Sequence, residues 1–253
     1  MIWWIIAGDG ASGMKRLASI FVLLSLLPAA AQQVISSRHR RGGLTIVTPA
    51  GSSAGCTAAI GGTGTPTVSC TLTAVAGQMV LVDVAGFNGS TTTPTLADSG
   101  SYAAITAASG FPHTNSIQHD MVWTVTGMSS GSHTLTVTFS TNQIFITLLA
   151  PGFMGASSSP IDSLEWNSAT QSSPLVCSNV TTSYNGELLG GFNEVFAGAT
   201  LTPGTTPQTM TTRQGPANNQ IAVTGTAATA GSNHQQFTYS GSNPVACSTF
   251  ALH

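Results

Sequence analysis

Charged side chains are nearly missing from this sequence: Asp, Glu, Lys and Arg together make up 6% of its 253 residues. Beyond Arg41 the shortage is one-sided. Arg213 is the only Lys or Arg there, against Asp83, Asp98, Asp120, Asp162, Glu165, Glu187 and Glu194, a formal charge of −6. A nucleic-acid binder needs a basic footprint to neutralise phosphates, so that class is excluded. Long apolar runs are also lacking. Past residue 31, Gly, Ser, Thr and Asn interrupt every one before the ~20 residues a membrane helix needs, so no membrane span is expected in the mature chain. No G-x-S-x-G elbow, P-loop, H-E-x-x-H or EF-hand loop occurs, and without such a constellation no cofactor, metal or catalytic residue is assigned. Cysteines number four, Cys56, Cys70, Cys177 and Cys247, with no C-x-x-C pair, which argues against a zinc knuckle or a redox site.

What is present begins with an export signal. Met14-Lys15-Arg16 is a basic start, Leu17 to Leu27 an apolar run, and Pro28-Ala29-Ala30-Ala31 a small-residue cleavage site ahead of Gln32. That order is the one secretion requires. Residues 1–13 read as an upstream artefact, 14–31 as the signal peptide, 32–43 as a basic flexible leader and 44–253 as the folded domain. The protein is expected to be secreted, extracellular or periplasmic. An even cysteine count then implies two disulfides. Three pairings are possible; Cys56–Cys70 across a Gly/Thr-rich turn and Cys177–Cys247 between later strands are expected.

Hydrophobic residues reach 42% despite the Ser, Thr and Gly background, and they recur with period 2. Val68, Cys70 and Leu72 share a face, as do Leu135, Val137 and Phe139, while Met79 to Phe87 is more continuously apolar, as in a strand buried on both sides. Met121, Trp123 and Val125 alternate, so Trp123 is predicted to be core, whereas Trp166 beside polar neighbours should be partly exposed. The chain also repeats itself in outline. Gly77 to Leu81 resembles Gly186 to Leu189, Phe87-Asn88 resembles Phe192-Asn193, and Gly131-Ser132-His133 resembles Gly231-Ser232-Asn233-His234. The expected fold is all-β, a single jelly-roll-like or immunoglobulin-like sandwich of pseudo-duplicated halves, since each half alone leaves an apolar sheet face uncovered.

The stretch Pro94-Thr95-Leu96-Ala97-Asp98-Ser99-Gly100-Ser101-Tyr102, the later Gly186-Glu187-Leu188-Leu189 and the closing strand resemble uncharacterised β-sandwich modules of large secreted bacterial surface proteins. The resemblance spans roughly residues 66–253, with Leu96 where those modules usually carry Val. It implies an adhesive, carbohydrate-facing or architectural role and brings no catalytic residues.

Candidate contacts follow from side-chain type. Trp166, Tyr102 and Tyr184 offer flat faces for sugars, and Asp162 and Glu165 lie beside Trp166. The first reading is a non-catalytic extracellular module that binds a glycan or a cell-surface component, or serves as a spacer. The alternative is a secreted glycoside-type hydrolase using Asp162 and Glu165 as its carboxylate pair. His113, His119 and Asp120 suggest metal ligation, but adjacent strand residues face opposite ways, and a polar loop explains them better. Thr134, Thr136 and Thr138 suggest an ice- or mineral-facing surface, which no fixed repeat supports.

Overall fold

The computed structural model describes residues 47–253 apart from 52–53, 88–92, 115–117, 196–198 and 218–219. The upstream segment, the signal and the basic leader assigned above lie outside the described residues, as does Asn88. The described chain is all-β. Its first half forms β1 (Thr48–Pro49), β2 (Cys56–Ala74), β3 (Gln78–Phe87), β4 (Thr95–Asp98), β5 (Ala104–Ala107), β6 (His113–Thr114), β7 (Gln118–Met128), β8 (Gly131–Ala150) and β9 (Gly152–Met154). Its second half forms β10 (Ile161–Ser172), β11 (Leu175–Val176), β12 (Val180–Thr182), β13 (Leu188–Val195), β14 (Leu201–Pro203), β15 (Thr211–Ala217), β16 (Gln220–Thr226), β17 (Gly231–Asn233), β18 (Gln236–Tyr239) and β19 (Ser242–Leu252).

β2 and β8 are long enough to serve two layers, and they pair antiparallel along their length. One pair of ends joins a five-stranded arrangement β2-β8-β3-β7-β5; the other pair, with β4, makes a three-stranded one. The second half repeats this pattern with β10-β19-β13-β16-β15 and β11-β18-β14, plus the short pair β12–β17. The long strand is interrupted there: Pro174, which has no N–H for the ladder, falls between β10 and β11. The duplication is therefore one of topology. Gly77 (φ 80°) and Gly186 (φ 78°) open equivalent strands, and Gly131 (φ 126°) and Gly231 (φ 118°) equivalent hairpins. Each position demands the left-handed backbone that only glycine adopts freely. Aligned on these glycines, Phe192-Asn193 falls inside β13, four residues out of step with Phe87-Asn88, so that sequence likeness was coincidental.

Period 2 explains the layering. Along β3, Val80, Val82 and Val84 join Val68, Leu72, Trp123, Leu135 and Leu148 in the core of the first half. In the second half Leu175, Leu189, Val223, Phe237 and Val245 do the same. The alternate residues of the five-stranded sheets, among them Met79, Leu81 and Val122 on one side and Leu188, Phe192, Phe250 and Leu252 on the other, form with Phe153 of β9 a third core that joins the halves. The face that each half alone would expose is thus covered by its counterpart, and every residue of β3 is buried. Trp123 is 5% exposed, as its alternation predicts. On the outer three-stranded layer, hydroxyls pair across strands, Ser69 with Thr136 at 2.9 Å and Thr71 with Thr134 at 3.0 Å.

The disulfides are Cys56–Cys70 and Cys177–Cys247. The expected hairpin between the first two is absent. Both lie on β2, at the ends that belong to different layers, and Cys177 and Cys247 likewise tie β19 to the chain between β11 and β12. Each half therefore carries one covalent link between its two sheets.

Candidate functional site

A cleft of about 730 Å³ opens where the halves meet. One wall comes from β5, β7 and their neighbours (Ala104, Thr106, Thr124, Thr126, His113), the other from Ser158 to Trp166. Asp162, Glu165 and Trp166 all line it. Tyr102 and Tyr184, 42% and 44% exposed, are elsewhere on the surface and do not line it.

β10 sets the geometry. Ile161 pairs with Leu252 and Ser163 with Ala251, so a bulge leaves Asp162 without a register partner. Only such a bulge lets Ile161 and Leu164, an odd spacing apart, pack on the same core between the halves, and bulges of this kind re-aim side chains. Asp162 Oδ2 accepts from Ser183 N at 3.0 Å and Ser183 Oγ at 2.7 Å. Four residues on, Trp166 pairs with Ser248. It is half-buried, as expected, and held on two sides: its Nε1–H donates to Asp120 Oδ2 at 2.8 Å, and its ring stacks on His113 with centroids 4.7 Å apart and planes 5° from parallel. Phe111 meets the other edge of this stack, its ring centroid 4.5 Å from that of His113. Burial lowers the His113 pKa, and the nearby Glu165 charge opposes that shift.

Behind Trp166 lies a group of acids that sequence reasoning missed. Asp83 on β3, Asp120 on β7 and Glu194 on β13 are 2%, 2% and 4% exposed. Gln220 Nε2 donates to Asp83 Oδ2 at 3.0 Å and to Glu194 Oε1 at 2.6 Å. The one Gln220 amide thus bridges the two carboxyls. Burial pushes both carboxyls well above the ordinary carboxylate range, and the charge of Asp120 pushes further. His119 and Asp120 do point opposite ways: His119 meets Phe139 of the first core edge-on at 6.2 Å, while Asp120 meets Trp166. They are buried strand residues, however, and the polar-loop explanation does not hold.

A Ser-His-Asp arrangement occurs where the β7–β8 hairpin meets Asp98 of β4. His133 Nδ1 lies 2.7 Å from Asp98 Oδ2, and His133 Nε2 lies 3.3 Å from Ser129 Oγ. Nε2 is also 3.0 Å from the backbone oxygen of Ser129. A carbonyl only accepts, so Nε2 carries a proton there and cannot serve as the base for Ser129. The equivalent residue in the second half settles the role: Asn233 Nδ2 donates to Thr229 O at 3.1 Å. Both side chains staple the same turn.

Comparison with protein-family models, curated proteins and solved structures finds no match for this chain.

Proposed function

We propose that the protein is a secreted, non-catalytic β-sandwich module whose inter-half cleft binds a glycan. The observation that carries this reading is the convergence of Trp166, Asp162 and Glu165 on one cleft walled by Thr, Ser and Ala. An indole whose N–H and one face are already held by Asp120 and His113 is pre-ordered for stacking against the apolar face of a sugar. The exposed Glu165 and the Thr and Ser hydroxyls accept or donate to sugar hydroxyls. Among the described residues, two carboxylates and no basic side chain other than His113 line the cleft, so it favours neutral or amino sugars over sulfated or uronic ones. The two disulfides fit an oxidising compartment, in keeping with the export signal read from the sequence and with modules of secreted bacterial surface proteins.

The test is a glycan array probed with the mature protein, followed by titration of the best neutral glycan into Trp166→Ala. Binding should fall by roughly tenfold or more, the equivalent of about 1.4 kcal/mol. Equal binding by the variant, or a preference for anionic glycans, would overturn the reading. The hydrolytic alternative rests on the same cleft and needs Asp162 and Glu165 as acid and base. Asp162 already commits one oxygen to Ser183, which favours a structural use. Release of reducing ends that Glu165→Gln abolished would establish hydrolysis instead.

A further inference from the structure

The two halves differ in charge at one equivalent position, and the difference leaves a buried oxygen without a donor. Gly77 donates its N–H to Met128 O, and Gly186 donates its own to Ala227 O, each at the start of the equivalent strand. Gln78 and Glu187, the next residues, therefore correspond. One side-chain oxygen does the same work in both. Gln78 Oε1 accepts from Val75 N at 3.0 Å, and Glu187 Oε2 accepts from Tyr184 N at 3.2 Å and Ser183 N at 2.8 Å. The other head-group atom differs. Gln78 Nε2 donates to Ala54 O. A carboxylate has nothing to donate, and Glu187 Oε1 is buried with no hydrogen-bond partner on a side chain only 6% exposed.

Two further groups converge on Glu187. Asp162, the bulged residue of β10, and His253 each place a ligand atom so that the three atoms all lie within 4.8 Å of one another. His253 Nδ1 is also buried with no hydrogen-bond partner. Two carboxylates this close repel each other unless a proton or a cation lies between them. Among the described residues the only lysine or arginine is Arg213, whose Nε donates to Thr224 Oγ1.

We infer that Asp162, Glu187 and His253 hold a divalent transition-metal ion of the zinc class. Calcium and magnesium take oxygen ligands, whereas an imidazole with two carboxylates suits zinc or manganese, with solvent in the remaining position or positions. The inference goes beyond the glycan reading and does not depend on it, although Asp162 also belongs to the cleft wall.

The experiment is calorimetric titration of the tag-free, chelator-treated protein with zinc chloride and, separately, manganese chloride, with no sugar present. One equivalent of zinc or manganese should bind and raise the melting temperature. Asp162→Asn and His253→Gln should each weaken binding by at least the ~100-fold that even an outer-sphere loss can cost. Glu187→Gln, which installs the residue of the first half, should fold, keep its melting temperature in chelator and lose the metal response. Affinity weaker than about 1 mM in the wild type, equal binding by the variants, or selective binding of calcium would overturn the assignment. Because the titration contains no glycan, a failed glycan array leaves its outcome unaffected.

Discussion

The four tryptophans of this chain include two inside the folded domain, and the structure assigns them opposite duties. Trp123 fills the first core beside Val125 and Leu135. Trp123→Ala should cost about 3–5 kcal/mol through the cavity it leaves, measured by urea unfolding. Trp166 is half-buried and anchored by its ring N–H. Trp166→Phe keeps an aromatic ring in the cleft but removes a donor from the buried Asp120, so it should cost about 1–3 kcal/mol while retaining part of any sugar affinity. An unchanged unfolding midpoint for Trp166→Phe would show that the Asp120 bond contributes nothing to the fold. At this scale much was legible. Alternation placed Trp123 inside because its neighbours at i−2 and i+2 are apolar. The partner of the Trp166 N–H was not legible, because Asp120 is 46 residues away in sequence.

Among the elements, the five-stranded sheets carry the burden of burial on both faces, and the disulfides connect them to their three-stranded partners. The chain-entropy model gives about 3 kcal/mol for closing the 14-residue loop and about 4 for the 70-residue one. A paired Cys177→Ala, Cys247→Ala variant should therefore lose more stability than Cys56→Ala, Cys70→Ala, compared by thermal melting under one oxidising buffer. The reverse order would mean that the first half depends more on its link. Cysteine parity and position led to the right pairing. The hairpin reading failed because β2 runs through both layers with register shifts between Gly61 and Thr67, and Gly and Thr residues that signal a turn also serve where a long strand changes sheets.

For the whole molecule, the buried acids Asp83, Asp120 and Glu194 make the junction between the halves sensitive to pH. Asp83 meets Gln220 and Asp120 meets Trp166 across that junction, and Glu194 bonds the same Gln220 from its own half. Asp83 and Glu194 have folded pKa values well above the ordinary 3.8 and 4.5, chiefly through burial. The folded state therefore keeps protons that the unfolded chain releases, and stability falls as pH rises through and beyond about 4. Melting temperature should be highest in acid and decline towards neutral pH. Asp83→Asn and Glu194→Gln should flatten that decline, as calorimetric scans from acid to neutral pH will show. A melting temperature that rises over this range would contradict the raised pKa values of Asp83 and Glu194.

Local rules in the sequence by themselves determined the all-β class, the inward residues of most strands and the positive-φ glycines that open equivalent turns. Each of these depends on a period of two or on a few neighbouring residues. Tertiary structure alone decided what the two-sided burial of the central strands was for. A continuous apolar run such as 79–82 shows that both faces are covered, but not that one face meets its own half and the other meets the duplicate. It likewise decided that Asp83, Asp120 and Glu194 are buried together at the junction, and that Asp162, Glu187 and His253 meet. Those groups come from segments far apart in the chain, and their meeting depends on register, one bulge and the stacking of two sheets, none of which a sequence period records.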